Sequence, residues 1–294
     1  MDLHDGRFDQ AAPRTEHEGR GPGANGYAEH RQRDPYSMTL HSPDTVQSAT
    51  RRIALLSDVH GNLPAFEAVM RDVDDVGVDL VWFLGDLVGY GAQPDECVAL
   101  ASERCDLCLT GNHDLAVTGA LPLDEFSRHA RTAAEWTQDH IGTSARAFLD
   151  GLETNTEREA LGMYHASPRD PVWEYVLSEV AADGCMDEMG PRVGAVGHSH
   201  VALYFTRSGE GARAEGHPAP AGTRADLSAG EWLVNPGGVG QPRDGDPRAA
   251  WMLLELPEWQ ATWKRVSYPV DEAAAAIRAA GLPPTLAERL YYGQ

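Results

Sequence analysis

The sequence has no long apolar run. No stretch approaches the about 18 consecutive apolar residues that a membrane-spanning helix needs, so a membrane partner is not expected. A basic start followed by a long apolar segment is also missing, so a secretory signal is not indicated. A cytoplasmic location is therefore expected.

Basic residues are scarce as well. The chain has 24 Lys and Arg residues against 45 Asp and Glu residues, which gives a formal charge of −21. A protein with this charge repels polyanions at long range, so a nucleic acid duplex is not an expected partner. Bound divalent cations can reverse the sign of the charge locally.

Cysteine is the third scarce residue type, with Cys97, Cys105, Cys108 and Cys185. The segment 105–109 has the pattern of a strand, in which a spacing of three residues places two thiols on opposite faces. Free thiols in a reducing compartment are therefore expected rather than a redox pair.

Two regions differ in composition. Residues 1–50 are rich in Gly, Pro and polar residues and have few apolar ones, which predicts a disordered N-terminal extension. Translation beginning at Met38, close to the first strand, is a hypothesis. Residues 51–294 have the composition of one folded domain, with a helical C-terminal tail.

Strands and helices alternate from residue 52 onward, which predicts an α/β fold with functional loops at the carboxyl ends of strands. The predicted strands are 53–57, 80–84, 105–109, 161–164, 192–196, 201–206, 231–234, 249–256 and 260–266. The predicted helices are 62–76, 94–104, 123–140, 144–152 and 270–291, the last with a break at Pro283-Pro284, and a poorly packed loop or hairpins are predicted for 208–229.

Polar clusters follow five of the predicted strands. They contain Asp58 and His60, Asp86, Asn112 and His113, His165, and His198 and His200. Asp58 and His60 are two residues apart, so in an extended chain they project the same way and can share one cation.

Oxygen and imidazole donors without a thiolate suit Mn²⁺, Fe or Zn²⁺ rather than a structural zinc site. These clusters offer more donors than one ion accepts, which favours two divalent ions, with manganese preferred. Two ions about 3.5–4 Å apart can acidify a bridging water and hold both oxygens of an in-line displacement at phosphorus.

The order and spacing of these clusters resemble a known family. Five short motifs resemble the five signature blocks of the calcineurin-like metallophosphoesterase superfamily. They are Asp58-x-His60, Gly85-Asp86, Gly111-Asn112-His113-Asp114, His165 and Gly197-His198-Ser199-His200. The stretches 85–91, 165–170, 235–238 and 240–244 are similar to its small bacterial branch, which is often labelled phosphodiesterase-like.

The resemblance implies two packed mixed β-sheets flanked by helices, a four-layer sandwich. It implies that Asp58, His60 and His200 bind one metal ion, that Asn112, His165 and His198 bind the other, and that Asp86 bridges them. A metal-bridging hydroxide would attack phosphorus in line. His113 would lie near the leaving-group oxygen, and Asp114 would orient the His113 imidazole.

One departure from the family concerns phosphate binding. The protein Ser/Thr phosphatase branch has an Asp-Arg pair after the Gly-Asp turn, whereas this chain has Gly89-Tyr90-Gly91 there. Arg243 is a candidate to replace that arginine, because a guanidinium group matches the oxygens of a phosphate. An arginine at a surface turn is the alternative for Arg243, and Tyr90 is a weaker candidate for substrate binding.

The resulting expectation is a dinuclear metal-dependent phosphodiesterase acting on a small phosphorylated substrate. The alternatives are a phosphomonoesterase, including a protein Ser/Thr phosphatase or a dinucleoside tetraphosphate hydrolase, and a noncatalytic binding scaffold of the same fold. A scaffold would be free to lose ligands or His113, and this chain has the whole set. An oligomer is compatible with the sequence.

Overall fold

A computed structural model describes residues 50–209 and 211–294. The predicted disordered extension, apart from Thr50, and the hypothetical start at Met38 lie outside the described residues. In chain order the strands are β1 (Arg51–Leu56), β2 (Leu80–Phe83), β3 (Leu107–Cys108), β4 (Asn155–Arg158), β5 (Leu161–Tyr164), β6 (Val193–Ala195), β7 (Leu203–Arg207), β8 (Glu215–Pro218), β9 (Arg224–Asp226), β10 (Glu231–Asn235), β11 (Ala249–Leu256) and β12 (Gln260–Val266). The α-helices are α1 (Leu63–Val76), α2 (Pro94–Arg104), α3 (Asn112–Thr118), α4 (Arg128–His140), α5 (Thr143–Asp150), α6 (Glu179–Glu188), α7 (Val270–Ala279) and α8 (Pro284–Glu288), and short 3₁₀ turns cover Leu123–Glu125 and Arg289–Tyr291.

The strands form two mixed sheets. The first sheet has the order β3-β2-β1-β11-β12-β9, and the second has the order β4-β5-β6-β10-β7-β8. Strands β1, β2 and β3 are parallel to one another, as are β5, β6 and β10 in the second sheet. The remaining strand pairs in both sheets are antiparallel.

Alternating side chains of the strands pack into different layers. In β1, Ile53 and Leu55 belong to the apolar core between the two sheets, whereas Ala54 and Leu56 pack with helices on the outer face. On the second sheet, Leu233 and Phe205 pack with residues of α6. The fold is therefore helix, sheet, sheet, helix, which confirms the expected four-layer α/β sandwich.

Two local expectations are wrong. The strand predicted over 105–109 shrinks to Leu107–Cys108, because Cys105 is the C-cap of α2. The thiols of Cys105 and Cys108 therefore do not lie on opposite faces. Both pack against the same apolar cluster, and interaction with the Cys108 thiol, together with burial, raises the pKa of Cys105. All four cysteines carry free thiols, as expected.

The loops that carry the polar clusters meet at one edge of the sandwich. In the first sheet, β1, β2 and β3 are followed by residues 57–62, 85–91 and 111–114, respectively. In the second sheet, β5, β6 and β10 are followed by residues 165–170, 197–200 and 236–243, respectively. Parallel strands bring their carboxyl ends to the same edge, so each sheet contributes three loops to one site. Among the described residues, no helix combines the length and apolar character that crossing a membrane requires.

Candidate active site

The backbone after β1 is left-handed rather than extended. Asp58 and His60 have φ angles of 58° and 50°, so the extended geometry expected for this pair is wrong. The turn is held by the next loop, because Asp58 N donates to Gly85 O at 3.0 Å and His60 N donates to Asp86 O at 3.0 Å. The two side chains nevertheless meet at one site, at 3.8 Å between His60 Nε2 and Asp58 Oδ1.

The same left-handed backbone conformation recurs at three more of the candidate metal ligands. Asp86, His198 and His200 have φ angles of 62°, 60° and 58°. A non-glycine residue in this region costs on the order of 1–3 kcal/mol, and such residues cluster at functional sites. Five residues with a left-handed backbone thus place potential metal-binding side chains together, which indicates a functional site.

Asp86 lies at the centre of the donor cluster. Its Oδ2 is 3.5 Å from Nε2 of His60 on one side and 3.4 Å from Nε2 of His165 on the other. Its Oδ1 accepts a hydrogen bond from the backbone N–H of His113 at 2.9 Å. One oxygen therefore fixes the carboxylate, and the other faces donors from both sheets.

The remaining donors surround Asp86 in groups. His200 Nε2 lies 3.4 Å from Asp58 Oδ1, and His165 Nε2 lies 3.2 Å from Asn112 Oδ1. Ligand atoms of three residues lie within 4.8 Å of one another in three groups: Asp58, His60 and His200; Asp86, His165 and His198; and His60, Asp86 and His113. The structure thus brings together all the donors singled out in the sequence.

Backbone carbonyls orient three of the imidazoles. Nδ1 of His60 lies 3.0 Å from Val88 O, Nδ1 of His165 lies 2.9 Å from Leu84 O, and Nδ1 of His200 lies 2.6 Å from Gln241 O. A carbonyl oxygen only accepts, so Nδ1 carries the hydrogen and Nε2 is left as the donor of a lone pair to a metal.

The imidazole nitrogens with a free lone pair and the carboxylate oxygens without a hydrogen-bond partner are suited to binding divalent cations. Nε2 of His60 and Nε2 of His200 are 3.1 Å apart, and with both Nδ1 atoms protonated their lone pairs repel unless a cation lies between them. Both carboxylate oxygens of Asp58, Oδ2 of Asp86 and Nε2 of His198 are buried and have no hydrogen-bond partner among the described residues. Buried charges without partners are costly, and a coordinated metal ion satisfies them.

Burial governs the protonation of the donors. It lowers the pKa of His60 and His200 and brings that of His198 to about 3, so these imidazoles are neutral ligands. Burial also raises the pKa of Asp58 to about 7. Burial disfavours the charged forms of Asp86 and His165 too, but their mutual attraction prevails, so the pKa of Asp86 is lowered and that of His165 is raised to about 9. A metal ion bound at Nε2 of His165 would therefore displace the proton that this nitrogen otherwise carries.

His113 is held by packing against rings. Its ring centroid lies 4.4 Å from that of Tyr90, 4.8 Å from that of His60 and 5.1 Å from that of Phe126. Its Nδ1 has no hydrogen-bond partner among the described residues. Burial lowers the pKa of His113 to about 4. A Cβ on Gly89 would lie 2.6 Å from this Nδ1, so the glycine makes room for the ring.

Asp114 does not orient the imidazole of His113, and that expectation is corrected by its contacts. Its Oδ2 accepts from the backbone N–H groups of Asp86 at 2.8 Å and Gly111 at 3.0 Å, and its Oδ1 accepts from Val88 N at 3.1 Å. The carboxylate therefore joins the loop after β2 to the start of α3. It positions backbone rather than a side chain.

Arg243 and Tyr90 lie at the edge of the donor cluster. The Cζ of Arg243 is 5.7 Å from the centroid of the Tyr90 ring, and Arg243 N donates to His200 O at 3.1 Å. The ring of Tyr175 stacks on that of His198 with 4.1 Å between centroids, and Tyr175 is 48% exposed. Asn235 supports the same loop, with Nδ2 donating to Gly197 O at 2.7 Å.

Comparison with known proteins gives consistent results. The sequence model described as the calcineurin-like phosphoesterase superfamily domain matches residues 52–258. An uncharacterized protein of Methanocaldococcus jannaschii is 35% identical over 248 residues, which are 82% of this chain and 98% of that protein.

Solved structures are also similar. A crystal structure of a metallophosphoesterase from Sphaerobacter thermophilus is 38% identical and has a TM-score of 0.75, covering 83% of this chain and 100% of that one. A hypothetical protein of Pyrococcus horikoshii has a TM-score of 0.68 at 17% identity, over 83% of this chain and 98% of that one, and this likeness concerns the fold alone.

Proposed function

Since the chain belongs to the calcineurin-like phosphoesterase superfamily and is a phosphoric ester hydrolase, we propose that it is a dinuclear metal-dependent phosphodiesterase. The main support for two ions is the position of Asp86. Its Oδ2, which has no hydrogen-bond partner among the described residues, lies 3.5 Å from Nε2 of His60 on one side and 3.4 Å from Nε2 of His165 on the other. A carboxylate shared by two cations requires such a position.

Each proposed ion has its own set of residues. Asp58, His60 and His200 hold the first, and Asn112, His165 and His198 hold the second, with Asp86 shared. When bound, two divalent ions acidify water and neutralise charge on a phosphate. The donors are oxygen and imidazole nitrogen without a thiolate, which suit Mn²⁺, Fe or Zn²⁺, and of these we propose manganese as the native ion.

Three further residues act on the substrate or on the donors. His113 protonates the departing oxygen, for which its position beside the cluster suits it. Because burial lowers its pKa to about 4, the negative charge of the bound substrate must stabilise the protonated imidazole. Arg243 binds a phosphate oxygen. Asp114 is a positioning residue, since its carboxylate fixes the loop that presents Asp86.

A diester is the proposed substrate class because the Asp-Arg pair of the protein phosphatase branch is missing. Gly89-Tyr90-Gly91 occupies that stretch, and the Tyr90 ring packs against His60 at 4.8 Å between centroids. The free thiols support a reducing compartment, so we place the enzyme in the cytoplasm.

The test compares turnover of three substrates by protein reconstituted with Mn²⁺. Bis(4-nitrophenyl) phosphate should be hydrolysed with a higher kcat/KM than 4-nitrophenyl phosphate, and a phosphopeptide should react slowest. Preference for the monoester or the phosphopeptide would replace the diester assignment. Absence of metal-dependent turnover on all three, in protein that has bound two ions, would refute the proposed activity.

A further inference from the structure

An apolar surface segment precedes α6. Among the described residues, five large apolar side chains are more than a third exposed, and three of them lie within six consecutive positions. These are Tyr175, Leu177 and Val180, which are 48%, 53% and 81% exposed. Single exposed apolar residues are ordinary, whereas a contiguous apolar patch marks a place of interaction. The segment 175–180 is therefore a candidate binding surface.

Leu177 borders a groove beside the outermost strand of the second sheet. Strand β8 ends the order of that sheet, so one of its sides faces no other strand. The groove has a volume of about 430 Å³, and ligand pockets typically have about 300–1,000 Å³. Its apolar lining consists of Leu177, Val201, Leu203, Phe205 and Pro218.

The polar side chains that border the groove are engaged in local contacts. Ser178 Oγ accepts from a backbone N–H of α6 at 3.2 Å, and Glu179 Oε1 accepts from Gly216 N at 3.2 Å. The imidazole of His217 stacks on the Tyr204 ring with 5.0 Å between centroids. A ligand in the groove would therefore meet mainly apolar side chains.

The groove is connected to the donor cluster at the loop after β6. Val201 lines the groove and directly follows His200 in the chain. Tyr175 lies two residues before Leu177, and its ring stacks on the imidazole of His198 with an interplanar angle of 25°. Apolar side chains thus lead from a candidate metal ligand to the groove.

A part of the substrate suits this surface better than a second protein chain does. A stable protein interface takes about 20–30 residues from each side, whereas only three large apolar side chains are exposed in this segment. A phosphodiester bound at the donor cluster has two organic groups. A group that leaves the cluster beside His198 passes the exposed ring of Tyr175.

We propose that one organic group of the natural diester is an extended alkyl chain, which passes over the Tyr175 ring and lies in the groove bordered by Leu177. The inference rests on the proposed phosphodiesterase function and narrows its substrate class to diesters with a long apolar chain. Each methylene removed from water favours binding by roughly fourfold. Tyr175 and Leu177 are then specificity-determining residues that bind no metal.

Two diesters with the same leaving group test this proposal. Methyl 4-nitrophenyl phosphate and octyl 4-nitrophenyl phosphate are hydrolysed by the Mn²⁺-loaded full chain, at concentrations at which the octyl ester does not form micelles. The same bond breaks in both, so the ratio of their kcat/KM values reports contacts of the alkyl chain. The wild type should prefer the octyl ester by at least about 50-fold, which burial of three methylenes provides.

Two variants locate the bound chain. Leu177→Asn places an amide at the border of the groove and should lower the ratio by about tenfold or more. Val180→Asn is the matched control, because Val180 is more exposed than Leu177 but does not line the groove, and its ratio should equal that of the wild type. Calorimetric titration with octylphosphonate and methylphosphonate gives the same comparison without turnover. Thermal unfolding and metal content verify that each variant folds and binds its ions.

The outcomes separate this inference from the proposed function. Equal kcat/KM values of the wild type for the two esters, or an unchanged ratio in Leu177→Asn, would overturn the inference even though a diester is hydrolysed. The first of these results needs no variant. A wild-type dimer that Leu177→Asn converts to a monomer in sedimentation velocity, together with equal kcat/KM values, would assign the surface to a second copy of the chain.

The binding experiment covers the remaining case. If neither ester is hydrolysed but octylphosphonate still binds more tightly than methylphosphonate, and Leu177→Asn removes the difference, the phosphodiesterase assignment is refuted and the groove is supported as the site of an alkyl chain. Equal affinities for the two phosphonates would overturn the role of the groove.

Discussion

Replacing Asp86 by Asn should strongly weaken the binding of both metal ions while keeping the shape of the side chain. The change removes the charge of an oxygen that lies 3.5 Å from His60 Nε2 and 3.4 Å from His165 Nε2. An amide N–H₂ placed there would donate to imidazole lone pairs that the proposed ions need. Loss of a residue that only supports a ligand weakens metal binding by 10–100-fold, so loss of a shared ligand should weaken it by at least about 100-fold.

The effect on stability follows from mass action. An ion present at about 100 times its dissociation constant stabilises the folded state by about 2.7 kcal/mol, and a 100-fold weaker site leaves only about 0.4 kcal/mol. For a domain of this size, the difference corresponds to a decrease of roughly 5–10 °C in the metal-induced rise of the melting temperature. Turnover of a diester should fall by at least about 10³-fold, because the ions supply most of the charge stabilisation.

Three measurements on Asp86→Asn check this prediction: metal content after dialysis, melting temperature with and without Mn²⁺, and turnover of bis(4-nitrophenyl) phosphate. Asp183→Asn is the matched control, since Asp183 is also a buried carboxylate but accepts from Ala214 N at 2.7 Å, away from the donor cluster. Retention of two ions with wild-type affinity in Asp86→Asn would refute the bridging role.

Three other variants test parts of the site. His113→Ala should lower turnover by about 10²–10⁴-fold with both ions still bound, because proton transfer supplies a factor of this size. Gly89→Ala should also lower turnover with metal retained, since its Cβ would lie 2.6 Å from Nδ1 of His113 and displace the ring. Asp114→Ala should reduce the free energy of unfolding by about 3 kcal/mol or more, because three buried N–H groups lose their acceptor at about 1–3 kcal/mol each, as chemical denaturation will measure.

Each of these variants has an informative contrary result. Loss of metal in His113→Ala would assign this residue to the third donor group instead of to proton transfer. Gly119→Ala controls for backbone strain, because Gly119 has the same φ of +87° as Gly89 but open space around its Cβ; equal losses would mean that contact with His113 does not matter. Wild-type stability of Asp114→Ala would show that water replaces its three hydrogen bonds.

Much of the scaffold follows from local sequence patterns. Strands β11 and β12 have the predicted bounds, since long apolar runs and alternating runs are unambiguous over seven or eight residues. Helix α3 is absent from the prediction because seven residues beginning with Asn112 have weak intrinsic helix preference. Its start is fixed by tertiary contacts, with His113 N bonded to Asp86 and Gly111 N bonded to Asp114.

The identity of the donors was easier to predict than their geometry. Asp and His after strands are visible in the sequence, but the left-handed backbone at Asp58 and His60 is imposed by hydrogen bonds to the loop after β2. The contacts of Asp114 with backbone amides depend on that same loop.

The proposed ligand sets each draw on both sheets. Asp58, His60 and Asn112 come from loops of the first sheet, while His165, His198 and His200 come from loops of the second. Each ion would therefore act as a cross-link at one end of the sandwich, and the two layers could not separate there without releasing both ions. Amide hydrogen exchange should consequently slow in β1 and β6 together on metal loading, although these strands share no hydrogen bonds.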